Sequence, residues 1–300
     1  MYERYFGLTG KPFSLLPEAH HLFFSKRHQH IVNILEYGMQ TQAAFMVITG
    51  DVGAGKTSSI RHFLDKLPPR VTVGHITNPN PRLGSLMGWV SNAFDLDQHG
   101  KDESKMYNGF VEFLLAEYAK GYRTLLIIDE AQNLSPELLE ELRMLSNVNN
   151  EQDMLLQIIL SGQPELLDML NRQDLRQFAQ RIGAHGHLAS LTPAETQAYI
   201  RHRLAVVGSE ADFFDERACA AVYHYTGGVP RLINLLCDQA LMYGFAEESR
   251  EIDYQTVIEV VSDRNTTGLS AFRPVTANQS DDHIRSILDG VLQMMRAGKK

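Results

Sequence analysis

Gly50-Asp51-Val52-Gly53-Ala54-Gly55-Lys56-Thr57 fits the phosphate-binding pattern G-x-x-x-x-G-K-[ST] without a mismatch. Its flanks are those the pattern needs. The run Ala44–Thr49 before it is apolar with β-branched members, as expected of a buried parallel strand. After it, Ile60, Phe63, Leu64 and Leu67 recur at helical spacing. In a strand–loop–helix unit, glycines let the backbone wrap closely around phosphate oxygens. Consecutive N–H groups and the helix N-terminus then supply positive potential. Gly50 to Thr57, with Ser58 in the first helical turn, are therefore the candidate nucleotide-binding residues. Lys56 would reach the β- and γ-phosphates, and Thr57 would ligand Mg²⁺.

A second signal lies downstream. Thr124-Leu125-Leu126-Ile127-Ile128-Asp129-Glu130 reads as a buried strand whose tip carries two acids. In open α/β sheets the ligand sits at the carboxyl ends of the strands. Behind a phosphate loop, Asp129 is the candidate second Mg²⁺ ligand, and Glu130 the group that polarises the attacking water. Another apolar strand, Met154–Leu160, ends in Ser161-Gly162-Gln163 at the same sheet edge. Ser161 or Gln163 would contact the γ-phosphate or the water, and the spacing does not choose between them. Beyond lie Arg176 and Arg181. Either could reach the γ-phosphate of a neighbouring subunit, with Arg181 favoured because it directly precedes a strand expected over His185–Ser190. The histidine pairs His28/His30 and His185/His187 have no third ligand in register, so metal binding by them is not expected.

Bulk properties bound the rest. Apolar residues make up 44% of the 300-residue chain and charged residues 21%, ordinary values for a globular protein. The net charge of −8 argues against a protein that coats nucleic acid unaided. Lys26, Arg27 and His28, with Lys101 and Lys105, are the few basic groups on offer for duplex DNA. Cys219 and Cys237 lack C-x-x-C spacing and read as small buried hydrophobes in a reducing compartment. No apolar run is long enough to span a membrane, and no secretory signal opens the chain, so a cytoplasmic protein is expected.

Four segments are expected. Residues 1–27 form an irregular arm pinned by Tyr2, Tyr5, Phe6, Phe13, Phe23 and Phe24, with Pro12 and Pro17 as turn formers; it is read first as a packing arm. Residues 28–190 form the α/β nucleotide-binding domain. It begins with a helix marked by Ile31, Ile34, Leu35 and Met39, and a strand is expected over Val71–Ile76. Two helical stripes in it, Leu83/Leu86/Met87/Val90/Phe94 and Met106/Phe110/Leu114/Leu115/Tyr118, are read as core faces. Residues 191–264 are helical. They open at Thr192-Pro193-Ala194-Glu195 and turn at Gly227-Gly228 into a helix started by Val229-Pro230-Arg231. Arg231 sits in the first turn, where the helix dipole disfavours a cation, so it is expected to face an anion such as the nucleotide phosphate. Residues 265–300 read as a linker over Asn265–Asp281 and an amphipathic helix over Asp282–Arg296. The apolar face of that helix would dock on a partner protein or a neighbouring subunit, or fold back onto its own domain.

Together, Gly50–Thr57, Leu125–Glu130, the Arg176/Arg181 region and Gly227–Arg231 resemble Walker A, Walker B, arginine finger and sensor 2 of an AAA+ ATPase. The opening Met1-Tyr2…Phe6-Gly7-Leu8…Pro12-Phe13, with Ile127–Gln132 and Ser161–Leu166, resembles a narrower group. This is the ExeA/GspA-like group of general-secretion and exosortase-associated ATPases, related to the AAA+ target-selection proteins of Tn7-like transposons. The resemblance implies a P-loop NTPase fold with a five-stranded sheet and a helical lid. It also implies ATP and Mg²⁺ at the interface between subunits, and assembly of a homo-oligomeric ring or filament that remodels or recruits a partner. Sensor 1 in this group falls at Ser161 to Gln163. ExeA-type ATPases continue into a membrane span and a periplasmic region that these 300 residues do not show. That departure raises the alternative expectation of an ATP-dependent DNA-binding regulator of transposition.

Overall fold

The structure is a computed structural model that describes all residues except 16–22, 81, 83, 98–101, 149–152, 210, 269–270, 274–280 and 299–300, and the side chain of Asp281. Pro17, Leu83, Lys101 and much of the expected 265–281 linker therefore lie outside the described residues. The chain divides into two compact units. One comprises Met1–Ser25, Val52–Ala54 and Ala189–Lys300, the other Lys26–Asp51 and Gly55–Leu188.

The first unit opens with α1 (Tyr2–Phe6), a short helix where the sequence suggests only an irregular arm. Gly7 ends it in the left-handed conformation at φ 72°, a position that glycine enters without steric cost. The chain then enters the α/β unit, whose elements follow in order. They are α2 (Lys26–Gln40), β1 (Phe45–Gly50), α3 (Lys56–Asp65), β2 (Val71–Ile76), α4 (Leu86–Ala93), α5 (Glu103–Ala119), β3 (Arg123–Ile128), α6 (Pro136–Leu145), β4 (Leu156–Gly162), α7 (Glu165–Leu170), α8 (Arg176–Ala179) and β5 (Ile182–Leu188).

All five strands are parallel, in the order β2-β3-β4-β1-β5. β1 and β4 are buried at every position, which is why their sequences run apolar without alternation. Because β4 lies between β3 and β1, the tips of all three open on one edge of the sheet.

Two strands are displaced from their expected positions. β4 starts at Leu156 and runs through Ser161 and Gly162, and β5 occupies Ile182–Leu188. The β5 shift has a steric reason. A Cβ on Gly183 would come 2.6 Å from Ala43 Cβ, and one on Gly186 would come 2.7 Å from Ile31 Cδ1. These glycines interrupt the apolar pattern of the strand and let neighbouring segments approach it closely. The second helical stripe is also narrower than expected. Phe110 and Leu114 are buried, whereas Leu115 is 49% exposed and Tyr118 38%. A helix packed on one side of a sheet buries one stripe, and the other positions face water.

The rest of the first unit is helical: α9 (Pro193–Val206), α10 (Glu216–Thr226), α11 (Pro230–Ala246), α12 (Tyr254–Thr266) and α13 (Asp281–Ala297). Thr192 and Glu195 close a capping box at the start of α9, and Asp215 caps α10. Tyr2, Phe6, Leu8 and Phe13 are buried in one core with Tyr199, Tyr225, Leu236 and Val257. The buried guanidinium of Arg203 donates to the carbonyls of Pro12 and Ser14, tying the arm to α9. Ile284, Leu288, Val291, Leu292 and Met295 of α13 belong to the same core. Of the alternatives open for that helix, the structure has the fold-back of its apolar face onto this core. Within the expected linker, Phe272 is buried and the Arg273 amide donates to the Tyr225 carbonyl, whereas Thr266, Thr267, Gly268 and Ala271 are exposed. No described helix is long and apolar enough to cross a membrane.

Candidate active site

β1 ends at Gly50, where a Cβ would come 2.4 Å from the Leu188 carbonyl oxygen. A glycine is thus needed for the loop to leave the sheet beside β5. Gly53 at φ 79° and Gly55 at φ 105° hold backbone conformations that L side chains rarely adopt, and Gly55 caps α3. A Cβ on Gly55 would also meet His28 Nε2 at 2.7 Å, so a buried ring of α2 lies against the loop from behind. Val52 and Asp51 are exposed, Ala54 is buried, and Gly53 and Ser58 are half-buried.

Lys56 is buried, and its ammonium donates to the carbonyls of Gly50 at 2.7 Å and Asp51 at 3.1 Å. Desolvation lowers its pKa, opposed by the nearby charges of Glu130, Asp129, Asp51 and Glu165. The ammonium is thus held by the loop that it would serve. Thr57 at the start of α3 donates its hydroxyl to Asp129 Oδ2 at 2.9 Å, and Ser161 donates to Asp129 Oδ1 at 2.8 Å. One carboxylate at the tip of β3 thereby joins the loop helix on one side and β4 on the other. A hydroxyl and a carboxylate are the hard oxygen donors that Mg²⁺ prefers. Thr57 and Asp129 would hold the ion, and the donor set fits it.

Glu130 follows in the left-handed region at φ 54°, ψ 38°, which costs a non-glycine residue on the order of 1–2 kcal/mol. Its carboxylate is engaged twice. Gln132 Nε2 donates to Oε2 at 2.6 Å and Gln163 Nε2 to the same oxygen at 3.4 Å. Ser161 and Gln163 thus each bond a different acid. Gln132 was missed as a functional candidate; the signals for it were a polar side chain two residues after the second acid and its place at the end of the stretch Ile127–Gln132.

The three arginines lie outside this hydrogen-bonded cluster. Arg176 is exposed at the start of α8. Arg181 donates to Ser146 Oγ at 3.0 Å and the Arg143 carbonyl at 3.4 Å, at the end of α6. In the helical unit, Arg231 is exposed in the first turn of α11, and its Cβ lies 2.6 Å from where a Cβ on Gly53 would stand. A Cβ on Gly228, at φ 77°, would sit 2.0 Å from the Leu191 carbonyl oxygen, so only glycine admits this turn before α11.

Residues 39–170 match the AAA domain family. General secretion pathway protein A of Aeromonas hydrophila is 40% identical over 254 residues, which are 84% of this chain and 46% of that protein. The chain thus spans about half the length of that relative. Among solved structures, the ORC2 protein of Aeropyrum pernix, in ADPNP–ADP complexes, superposes with a TM-score of 0.60 at 13% identity over 96% of this chain and 98% of that one. The Cdc6 protein of Pyrobaculum aerophilum gives 0.61 at 16% identity over 80% and 67%. These structural likenesses bear on the fold alone. The phosphate loop and the acids at the tip of β3 lie within the matched AAA domain, and over most of its length the chain is similar to a protein of the ExeA/GspA-like group.

Proposed function

We propose that this protein binds ATP on the loop Gly50–Ser58 and hydrolyses it within a homo-oligomer, using the cycle to remodel or recruit a partner assembly of a secretion system. The observation that carries this reading is the chain of bonds Thr57–Asp129–Ser161 beside Lys56, with Glu130 next in sequence at the same strand tip. Lys56 supplies positive charge to the β- and γ-phosphates. Thr57 and Asp129 would hold Mg²⁺, which when bound would supply charge neutralisation at the phosphate oxygens. Glu130 accepts a proton from the attacking water, whose oxygen bonds to the γ-phosphorus as the bond to the bridging oxygen breaks and ADP leaves with the electron pair.

Arg231 is proposed to contact the nucleotide phosphate. Arg181, or Arg176, is proposed to complete the site of a neighbouring copy. Two buried free thiols and a need for ATP suit the cytoplasm. Secretion takes precedence over transposition because the 40%-identical relative is a general secretion protein. Duplex DNA is disfavoured by the net charge of −8.

ATPase turnover per subunit, measured across protein concentrations, tests the assembly. It should rise with concentration and fall when Arg181→Ala is mixed into wild-type protein. Turnover independent of concentration in a monomer would sink the oligomer reading. Glu130→Gln should lower kcat by about 10²- to 10⁴-fold with nucleotide binding retained.

A further inference from the structure

The carboxylate assigned to water activation is not held by its own backbone alone. Gln132 occupies the short turn Ala131–Asn133 after β3 and uses both ends of its amide. Its NH₂ donates to Glu130 Oε2 at 2.6 Å, and its oxygen accepts from the Gln163 amide at 3.0 Å. The orientation is forced: a carboxylate only accepts and a backbone N–H only donates, so the reversed amide would lose both bonds. Space is made for it as well. A Cβ on Gly162 would come 3.0 Å from Gln132 Oε1 and 2.8 Å from Leu166 Cδ2. Two amide donors thus converge on one oxygen of Glu130, whose backbone is left-handed: Gln132 Nε2 and, at 3.4 Å, Gln163 Nε2.

We propose that Gln132 is a positioning residue for ATP hydrolysis, fixing the Glu130 carboxylate and tying it to the tip of β4. The proposal rests on the reading of Glu130 as the group that takes the proton from water. Gln132 itself touches neither substrate nor metal. Its bond occupies Oε2, so Oε1 is the oxygen assigned to take the proton from water. Through Gln163, the carboxylate also shares the strand end whose Ser161 holds Asp129.

The test is Gln132→Met, which keeps the length and removes both hydrogen bonds, made in the wild type and in the Glu130→Gln background. In the wild type, kcat should fall about tenfold to a hundredfold, the loss expected when a reacting group is misplaced by around an ångström. Affinity for a fluorescent ATP analogue with Mg²⁺ should stay within about twofold, because the residue acts only through Glu130. In the Glu130→Gln background, single-turnover hydrolysis should show no further loss, since the carboxylate that Gln132 positions is already gone. A role in folding alone would lower both backgrounds alike. Gln132→Glu is the second variant. It can still accept from the Gln163 amide but sets a like charge against Glu130, and it should lose at least as much kcat. Should Gln132→Met fail to fold, this variant carries the test.

An unchanged or raised kcat, an equal loss in both backgrounds, or a parallel loss of nucleotide affinity would overturn the proposal. Wild-type protein that does not hydrolyse ATP, or a Glu130→Gln variant with full activity, would instead overturn the reading on which it rests.

Discussion

Lys56 shows what one residue of the phosphate loop does before any ligand arrives. Its ammonium is buried and donates to two main-chain carbonyls of its own loop. Burial disfavours the charged form and lowers its pKa, and the surrounding acids oppose that only in part. A triphosphate offers the same ammonium a stronger, charged acceptor. Lys56→Met should therefore weaken ATP binding by about 10- to 150-fold, the equivalent of a hydrogen bond to a charged group at 1.5–3 kcal/mol. Equilibrium binding of a fluorescent ATP analogue checks this, and unchanged affinity would remove Lys56 from the site. Residues at this scale were largely legible. Glycine, lysine and threonine at fixed spacing describe a backbone shape and a charge, both local. Gln132 was not legible, because nothing in its neighbours announces that the main-chain amide of Gln163, just past β4, will sit opposite it.

At the scale of elements, α13 carries the clearest lesson. Its apolar residues recur at helical spacing, which dictates a helix with one buried face. What covers that face is another matter, since hydrophobic burial has no direction and a partner serves as well as the chain itself. The structure gives the face to the helical core, with Leu288 almost fully enclosed. Leu288→Ala should lower the stability of this unit by about 2–5 kcal/mol through lost burial and the cavity left behind. Urea denaturation followed by circular dichroism would measure it. A cost under about 0.5 kcal/mol would mean that α13 does not pack there in solution. α1 and β5 make the same point from the other side. A five-residue helix has too few turns to show a period. β5 is broken by Gly183 and Gly186, whose missing side chains make sense only once Ala43 and Ile31 are seen against them.

For the whole molecule, each compact unit has its own core and its own reporter. Trp89, the single tryptophan, belongs to the α/β unit, whereas Cys219 and Cys237 are buried in the helical one. Burial pushes the Cys219 thiol up to about 12 and raises that of Cys237 as well, so both stay protonated and enclosed at neutral pH. A thiol reagent should thus label them only as the helical unit opens, while Trp89 fluorescence follows the other. MgATP at a hundred times its Kd should stabilise the tryptophan-reported transition by about 2.7 kcal/mol, roughly 5–10 °C. Rapid labelling of the native protein, or a tryptophan transition indifferent to nucleotide, would contradict these assignments. The sequence by itself determined the phosphate loop, the acids at the end of an apolar strand and the α/β class, because each is written in contiguous residues whose backbone and periodicity are local matters. Only the tertiary structure decided that Thr57, Asp129 and Ser161 meet, that Glu130 is held by Gln132 and Gln163, and that α13 folds back. These depend on strand order and on which apolar faces find each other, and short-range pattern carries neither.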